Sequence, residues 1–462
     1  MKTKLYYLLI ILILVSCKKQ DEWLDKKANI SDVIPVTLND MQALLDNDDV
    51  LNRQYPALGL IASDNFFVSN SYLAATYTLE RTSYKWASDI FEGLTTEGFD
   101  WSVCYKQIEY ANIVLDGINK VAHSNQNEYD NIKGQALFFR AYSLYHLMQV
   151  FGKPYIPGRE SVDLGVIVKL SSDINVKAQR STVQACYDQI IADLKSAETL
   201  LPQYALYKTR PSKIAAHAML SKVYLNMQNY NQAYVYAGLV LAQEHSLLDF
   251  NSISKTPTYP FPRFPGVVNS EILFFSSSQT YSMFGLSTMF VDPGLYGLYV
   301  ANDLRKTLFF RTNADGTYSF RGRYTGTTPL FNGLAINETM LIQAECLARA
   351  GSTEAAMTVL NGLLKTRWIK DSNGNSTYVD RMAANAEDAL KIILIERRKE
   401  LPFTGNLRWE DLRRLNQDAR FAKTLVRDIA GVSYSLPPND LRYTYPIPPA
   451  EMNVHSVIQN ER

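Results

Sequence analysis

Chemistry in this chain would show first in its histidines, cysteines, carboxylates and rings. Five histidines, His123, His146, His217, His245 and His455, are scattered with no H-E-x-x-H pairing, and no C-x-x-C is present. The ligand spacing of a zinc site is therefore missing, and no metal is implied. Nucleophile elbows of the G-x-S-x-G type, phosphate loops of the G-x-x-x-x-G-K-[ST] type and G-x-G-x-x-G after a strand are missing too, so no cofactor is implied. Cys104, Cys186 and Cys346 fall at apolar helical positions without paired spacing, which fits small buried hydrophobes better than nucleophiles or disulfides. Two charged runs stand out, Glu396-Arg397-Arg398-Lys399-Glu400 and Arg408-Trp409-Glu410-Asp411-Leu412-Arg413-Arg414. Their alternating signs at helical spacing predict salt-bridged helices on a solvated or interfacial face. Glycoside hydrolysis needs two carboxyls about 5 to 9 Å apart in a cleft, a distance that sequence does not display, so a surface polysaccharide hydrolase stays as an alternative.

Rings are the other resource. The chain has 29 Tyr and 20 Phe against 5 Trp, and many of them crowd a stretch where the helical period fades. Across residues 251–330, Pro257, Pro260, Pro262, Pro265 and Pro293 break the backbone, so loops and short strands are expected there. A long irregular insertion in a helical body is a candidate ligand-binding surface.

The elements around it read as helices. From Trp101 the apolar side recurs at Cys104, Tyr105, Ile108, Ala111, Leu115, Ile118 and Ala122, and a second stripe runs through Ile132, Ala136, Phe139, Ser143, Leu147 and Val150. Ser181 with Gln184 resembles a capping box opening a further helix over Val183, Tyr187, Ile190, Leu194 and Ala197. Small and aromatic residues at Leu220, Ser221, Tyr224, Tyr230 and Ala233, and again at Ala344, Leu347, Gly351 and Ala356, follow the pattern of tetratricopeptide units. Each such pair leaves an apolar face that only a neighbouring pair covers, so the pairs must stack. The predicted fold is mostly α, with tetratricopeptide-like helical pairs forming one large domain around the irregular insertion.

All 462 residues together are 47% hydrophobic and 20% charged, with 47 Lys and Arg against 46 Asp and Glu, a formal charge of +1. That balance excludes a disordered chain and lacks the cationic excess of a dedicated nucleic-acid binder. Lys2 and Lys4 precede an apolar run over residues 5–15, too short for the roughly 20 residues that a membrane span needs. Leu14-Val15-Ser16-Cys17 looks like a bacterial lipobox. Residues 1–16 are thus expected to be a lipoprotein signal peptide, and residues 17–36 a tether whose acylated Cys17 sits in outer-membrane lipid while the folded part stays in water.

Several segments resemble the SusD/RagB family of surface lipoproteins from Bacteroidetes glycan-uptake systems. They are Gly134-Gln135-Ala136-Leu137-Phe138-Phe139-Arg140-Ala141-Tyr142, Asp193-Leu194, Ser212-Lys213-Ile214-Ala215-Ala216, Asn269-Ser270-Glu271-Ile272-Leu273-Phe274, the two charged runs, and Tyr445-Pro446-Ile447-Pro448 ahead of Glu451. The resemblance implies a SusD-like N-terminal helical half over residues 37–250, the insertion, and a RagB/SusD C-terminal helical half over residues 331–462. It further implies a cell-surface lid over a SusC-like, TonB-dependent outer-membrane transporter, which binds a glycan or oligosaccharide, or alternatively an oligopeptide, without chemical turnover. Flat rings stack on sugar faces while Asp and Asn bond hydroxyls. The candidate ligand residues on that basis are Asp64, Asn65, Phe67, Trp86, Tyr281, Tyr296 and Tyr299.

Overall fold

A computed structural model describes residues 35–462 except 96, 97, 177, 178, 267 and 268. The signal segment 1–16, Cys17 and most of the tether lie outside the described residues. No helix among the described residues is long and apolar enough to cross a membrane.

The body is carried by α1 (Leu38–Leu45), α2 (Phe99–Ile118), α3 (Gln126–Val150), α4 (Val183–Leu200), α5 (Lys213–Asn226), α6 (Tyr230–Leu241), α7 (Ile336–Arg349), α8 (Thr353–Lys365), α9 (Ala386–Glu400) and α10 (Leu407–Leu415). From α2 to α8 each helix packs on the next, including α6 on α7 across the long insertion between them, and α9 packs on α7 and α8. This is the expected stack of helical pairs. Small residues permit the close approaches: Ala215, Ser221, Ala233, Ala237, Ala344, Ala348 and Ala356 are all buried.

Side-chain oxygens set the starts. Thr37, Asn125, Ser212, Asn229 and Asn385 each accept a backbone N–H two or three residues into the helix they precede, which stabilises each end by about 1 kcal/mol. The start of α4 differs by one residue from the sequence reading: Thr182, not Ser181, is the cap, because its Oγ accepts the Ala185 N–H while Ser181 pairs in a short strand (Arg180–Thr182). Two motif segments close the body. Arg140 on α3 grips Asp193 on α4 through two 2.7 Å bonds. Tyr445 donates its backbone N–H to the Val150 carbonyl at the end of α3 and its hydroxyl to Leu58.

Three short strands of the insertion join one from the N-terminal half in an antiparallel sheet, β1 (Phe66–Phe67), β2 (Phe290–Val291), β3 (Phe310–Thr312) and β4 (Tyr318–Phe320), in the spatial order β1-β2-β4-β3. Its first strand comes from the N-terminal half, so the insertion is laced to the body rather than appended to it.

The helix at Leu58–Ala62 shows how tight that lacing is. The Trp409 ring lies directly on Gly59, where an added Cβ would stand 2.6 Å from the ring. Gly59→Ala must displace a fully buried indole, and a loss of about 1 to 3 kcal/mol in unfolding free energy is expected from urea denaturation. An unchanged midpoint would contradict this packing.

Candidate functional site

The two charged runs do not lie on a solvated face. Glu396, Arg397, Lys399 and Glu400 on α9 and Glu410, Asp411, Arg413 and Arg414 on α10 are all buried. They face inward because the other elements bring counter-charges to them. Arg305 donates to Asp303, Glu396 and Glu400, and Arg367 to Glu400 and Glu271, with no side chain of the six exposed by more than 1%. Burial pulls the Arg305 guanidinium down, but the three carboxylates outweigh it and raise its pKa well above the usual value. On the other side Arg414 forks onto Glu345 of α7 at 2.6 and 2.8 Å. Burial pushes Glu345 up, yet Arg414 and Arg349 bring its carboxyl down to about 2.

A third group reaches the predicted ligand loop. Asp64 accepts from Arg408 at 2.6 Å and from Lys423 at 2.8 Å, with Arg398 at 3.4 Å. Burial opposes its ionisation, but these cations hold the carboxyl well below the usual range. Asn65 is fully buried, accepts from Arg398 Nε and donates to the Pro402 carbonyl. Asp64 and Asn65 therefore have their polar atoms committed to the C-terminal helices. Their effect is to fix the strand that follows, which carries Phe67.

Of the five predicted rings, three are interior. Trp86 is buried with its Nε1–H on the Ala62 carbonyl, and Arg427 stacks over it at 4.5 Å. Tyr299 is buried with its hydroxyl on the Lys399 carbonyl. Tyr281 is buried and donates to Asp100 at 2.8 Å. None of these three has an open face here, since each hydroxyl or indole N–H found a buried acceptor and the ring packed around it. Phe67 and Tyr296 are half-buried.

The structure gives each of them a partner. Phe67 lies opposite Phe290 across β1 and β2, with ring centres 5.5 Å apart. Tyr296 stacks on Tyr318 at 3.5 Å and 12°, and Lys306 Nζ stands 4.9 Å from the Tyr296 ring centre. Both partners are half-buried. Side chains alternate along a strand, and Phe290 faces Ser319 while Tyr318 is the next residue, so the two ring pairs sit on opposite faces of the sheet. Phe290 was absent from the sequence expectation and Tyr318 was only one of many rings. The signal that locates Tyr318 is Asp315-Gly316 between two short apolar runs, a hairpin signature that pairs β3 with β4. Among the described residues no group of three or more His, Cys, Asp or Glu is placed to hold a metal ion.

The fold is a stack of helical pairs bearing a small ring-flanked sheet, with the charged runs locked inside. Comparison with known proteins agrees on the fold and the family. Residues 22–225 match a family described as "Starch-binding associating with outer membrane", and residues 336–461 match one described as "SusD family". The chain belongs to the SusD/RagB family. SusD-like protein P2 of Formosa agariphila is 26% identical over 374 residues, 68% of this chain and 71% of that one. A SusD superfamily protein from Bacteroides thetaiotaomicron superimposes with a TM-score of 0.72 at 22% identity, covering 92% of this chain and 100% of its own. Surface glycan-binding protein A from Bacteroides uniformis does so with a TM-score of 0.68 at 18% identity, covering 92% and 100%.

Two carboxyls of opposite character give two checks. Asp64→Ala strips Arg408 and Arg398 of their shared anion, so unfolding free energy at neutral pH is expected to fall by about 3 kcal/mol, and wild-type stability would contradict the ion cluster. Asp100 behaves otherwise: burial pushes its carboxyl up to about 6, against bonds from the Leu58 N–H, Tyr281 and the Ala57 N–H. A carboxyl raised on folding holds its proton more tightly in the folded state, so its contribution is best below about pH 4 and declines towards about pH 6, by about 3 kcal/mol in all. Asp100→Asn keeps an acceptor oxygen and removes the titration. The variant is expected to gain on the wild type as pH rises from about 4 to about 7, and a constant difference would show that Asp100 does not titrate there.

Proposed function

We propose that this chain is a lipid-anchored, cell-surface protein of the outer membrane that captures a glycan or oligosaccharide and acts as lid and capture partner of a SusC-like TonB-dependent transporter. The observation that carries this reading is the two half-buried ring pairs, Phe67 with Phe290 and Tyr296 with Tyr318, held on and beside one small sheet. The stacked Tyr296–Tyr318 pair offers apolar ring area of the size of a sugar ring with two hydroxyls beside it, and the tilted Phe67–Phe290 pair adds a second apolar patch. The names of its relatives support the same class, since one is called a surface glycan-binding protein and another a putative sugar binding protein, the latter from Bacteroides vulgatus.

Binding without turnover is supported by how the acids are used. The carboxylates nearest the rings are occupied: Asp292 accepts the Leu295 N–H, and Asp315 accepts the Thr317 N–H and hydroxyl. A hydrolase would require two carboxyls facing one cleft. Anchoring through Cys17 follows from the lipobox, and it leaves the whole helical body in water.

Isothermal titration of the purified protein against a panel of polysaccharides, with oligopeptides alongside, tests the reading. At least one saccharide is expected to bind saturably without release of reducing ends, and Tyr296→Ala and Phe67→Ala are each expected to weaken it about tenfold. Binding of oligopeptides alone, or of nothing, would contradict it. Detergent extraction of native membranes is expected to recover the chain with a large barrel, and its recovery alone would count against the lid.

A further inference from the structure

The insertion is more basic than the chain that contains it. Residues 251–330 carry seven Lys and Arg against four Asp and Glu, an excess of three cations, whereas the whole chain has an excess of one. Pairing sharpens this at the surface. Glu271 and Asp303 are fully buried and taken by Arg367 and Arg305, so they shield nothing outside. Among the described residues Lys255, Lys306, Arg311 and Arg321 have no carboxylate within 4 Å.

These four stand together and beside the rings. Arg321 donates to the backbone carbonyls of Lys255, Pro257 and Thr307, which ties the 255–257 loop to the short helix Arg305–Phe309. Burial and then the charge of Arg311 pull the Arg321 guanidinium pKa down, as expected of neighbouring like charges. Lys306 lies against the Tyr296 ring. Arg311 is exposed and opposite Ser319, which puts it on the same sheet face as Phe67 and Phe290. Each ring pair thus has an unpaired cation on its own side. The local counter-charges are Asp315 at the hairpin tip, bonded to Thr317, and Asp292, which caps a helix and lies 3.8 Å from Arg398.

Rings alone would serve any sugar. Unpaired cations next to them discriminate, because a guanidinium fork or an ammonium group is complementary to a carboxylate or a sulfate and gains nothing from a neutral hydroxyl that water does not already supply. We propose that the saccharide taken at these rings is anionic, with carboxylate or sulfate groups that meet Lys306 beside Tyr296 and Tyr318, or Arg311 on the face of Phe67 and Phe290, while the ring pair on that side takes the sugar face. This rests on the glycan-capture reading and names the chemical class of its ligand.

The test is titration of the purified protein with three probes, an oligogalacturonide for carboxylate, a sulfated galactan oligosaccharide for sulfate and maltohexaose as the neutral sugar, at about 25 mM and about 500 mM NaCl. At low salt at least one acidic probe is expected to bind about tenfold more tightly than maltohexaose and to lose about tenfold at high salt, as a few solvent-exposed ion pairs provide. Which acidic probe binds identifies the group. The double variant K306A/R311A, both side chains lying outside the buried clusters, is expected to keep the wild-type melting temperature and lose the preference and the salt dependence together. Maltohexaose binding as tightly as both acidic probes, or acidic binding indifferent to salt and to the double variant, overturns the anionic class while leaving glycan capture standing. Absence of binding to all three and to every saccharide of the wider panel overturns both.

Discussion

A carboxylate taken wholly out of water must be met by cations and donors, or the region around it does not fold. Glu400 meets that demand with Arg367, Arg305 and Asn337, which arrive from the segment after α8, from the insertion and from the first turn of α7. Glu396, one turn back on α9, and the adjacent Lys399 extend the cluster to Asp303 and Arg381. A buried ionic lattice of this kind adds less net stability than well-packed hydrocarbon would, but it tolerates very few relative placements of its members. In this chain its members come from parts distant in sequence, so satisfying the charges fixes where the insertion sits on the helices.

The ring surface inherits that placement. Tyr299 and Arg305 leave the short segment that also carries Tyr296 and Lys306, and both are anchored to α9, Tyr299 through the Lys399 carbonyl and Arg305 through Glu396 and Glu400. On the opposite edge of the sheet, Asp64 and Asn65 bind Arg408 and Arg398 and deliver Phe67 opposite Phe290. One pair of C-terminal helices therefore holds both ends of a sheet whose strands are only two or three residues long. Such strands would not persist unaided. A surface held from beneath needs little reorganisation, the preorganisation on which the proposed capture would draw.

The sequence showed the helical pairs plainly because their apolar stripes keep one period for three to seven turns, as in α2 and α3. It placed the insertion too, since proline and fading periodicity are local properties. Burial of the charged runs was not legible: alternating charge at helical spacing describes a solvated helix and an interior ionic lattice equally well, and the difference lies in partners such as Glu271 and Asp303 far along the chain. Which rings are interior was not legible for the same reason. Trp86, Tyr281 and Tyr299 look like stacking residues until their acceptors, the Ala62 and Lys399 carbonyls and Asp100, are seen. Phe67 and Tyr296 stay half-buried, each against another half-buried ring.

If the lattice under Glu400 holds the ring surface in place, weakening it must loosen the insertion before it unfolds the helices. Native-state hydrogen exchange on Glu400→Gln, read together with saccharide binding, measures this directly. Amides of β3 and β4 are expected to exchange faster and affinity to drop, while α2 to α4 keep their protection. Exchange and affinity both equal to wild type would contradict the account.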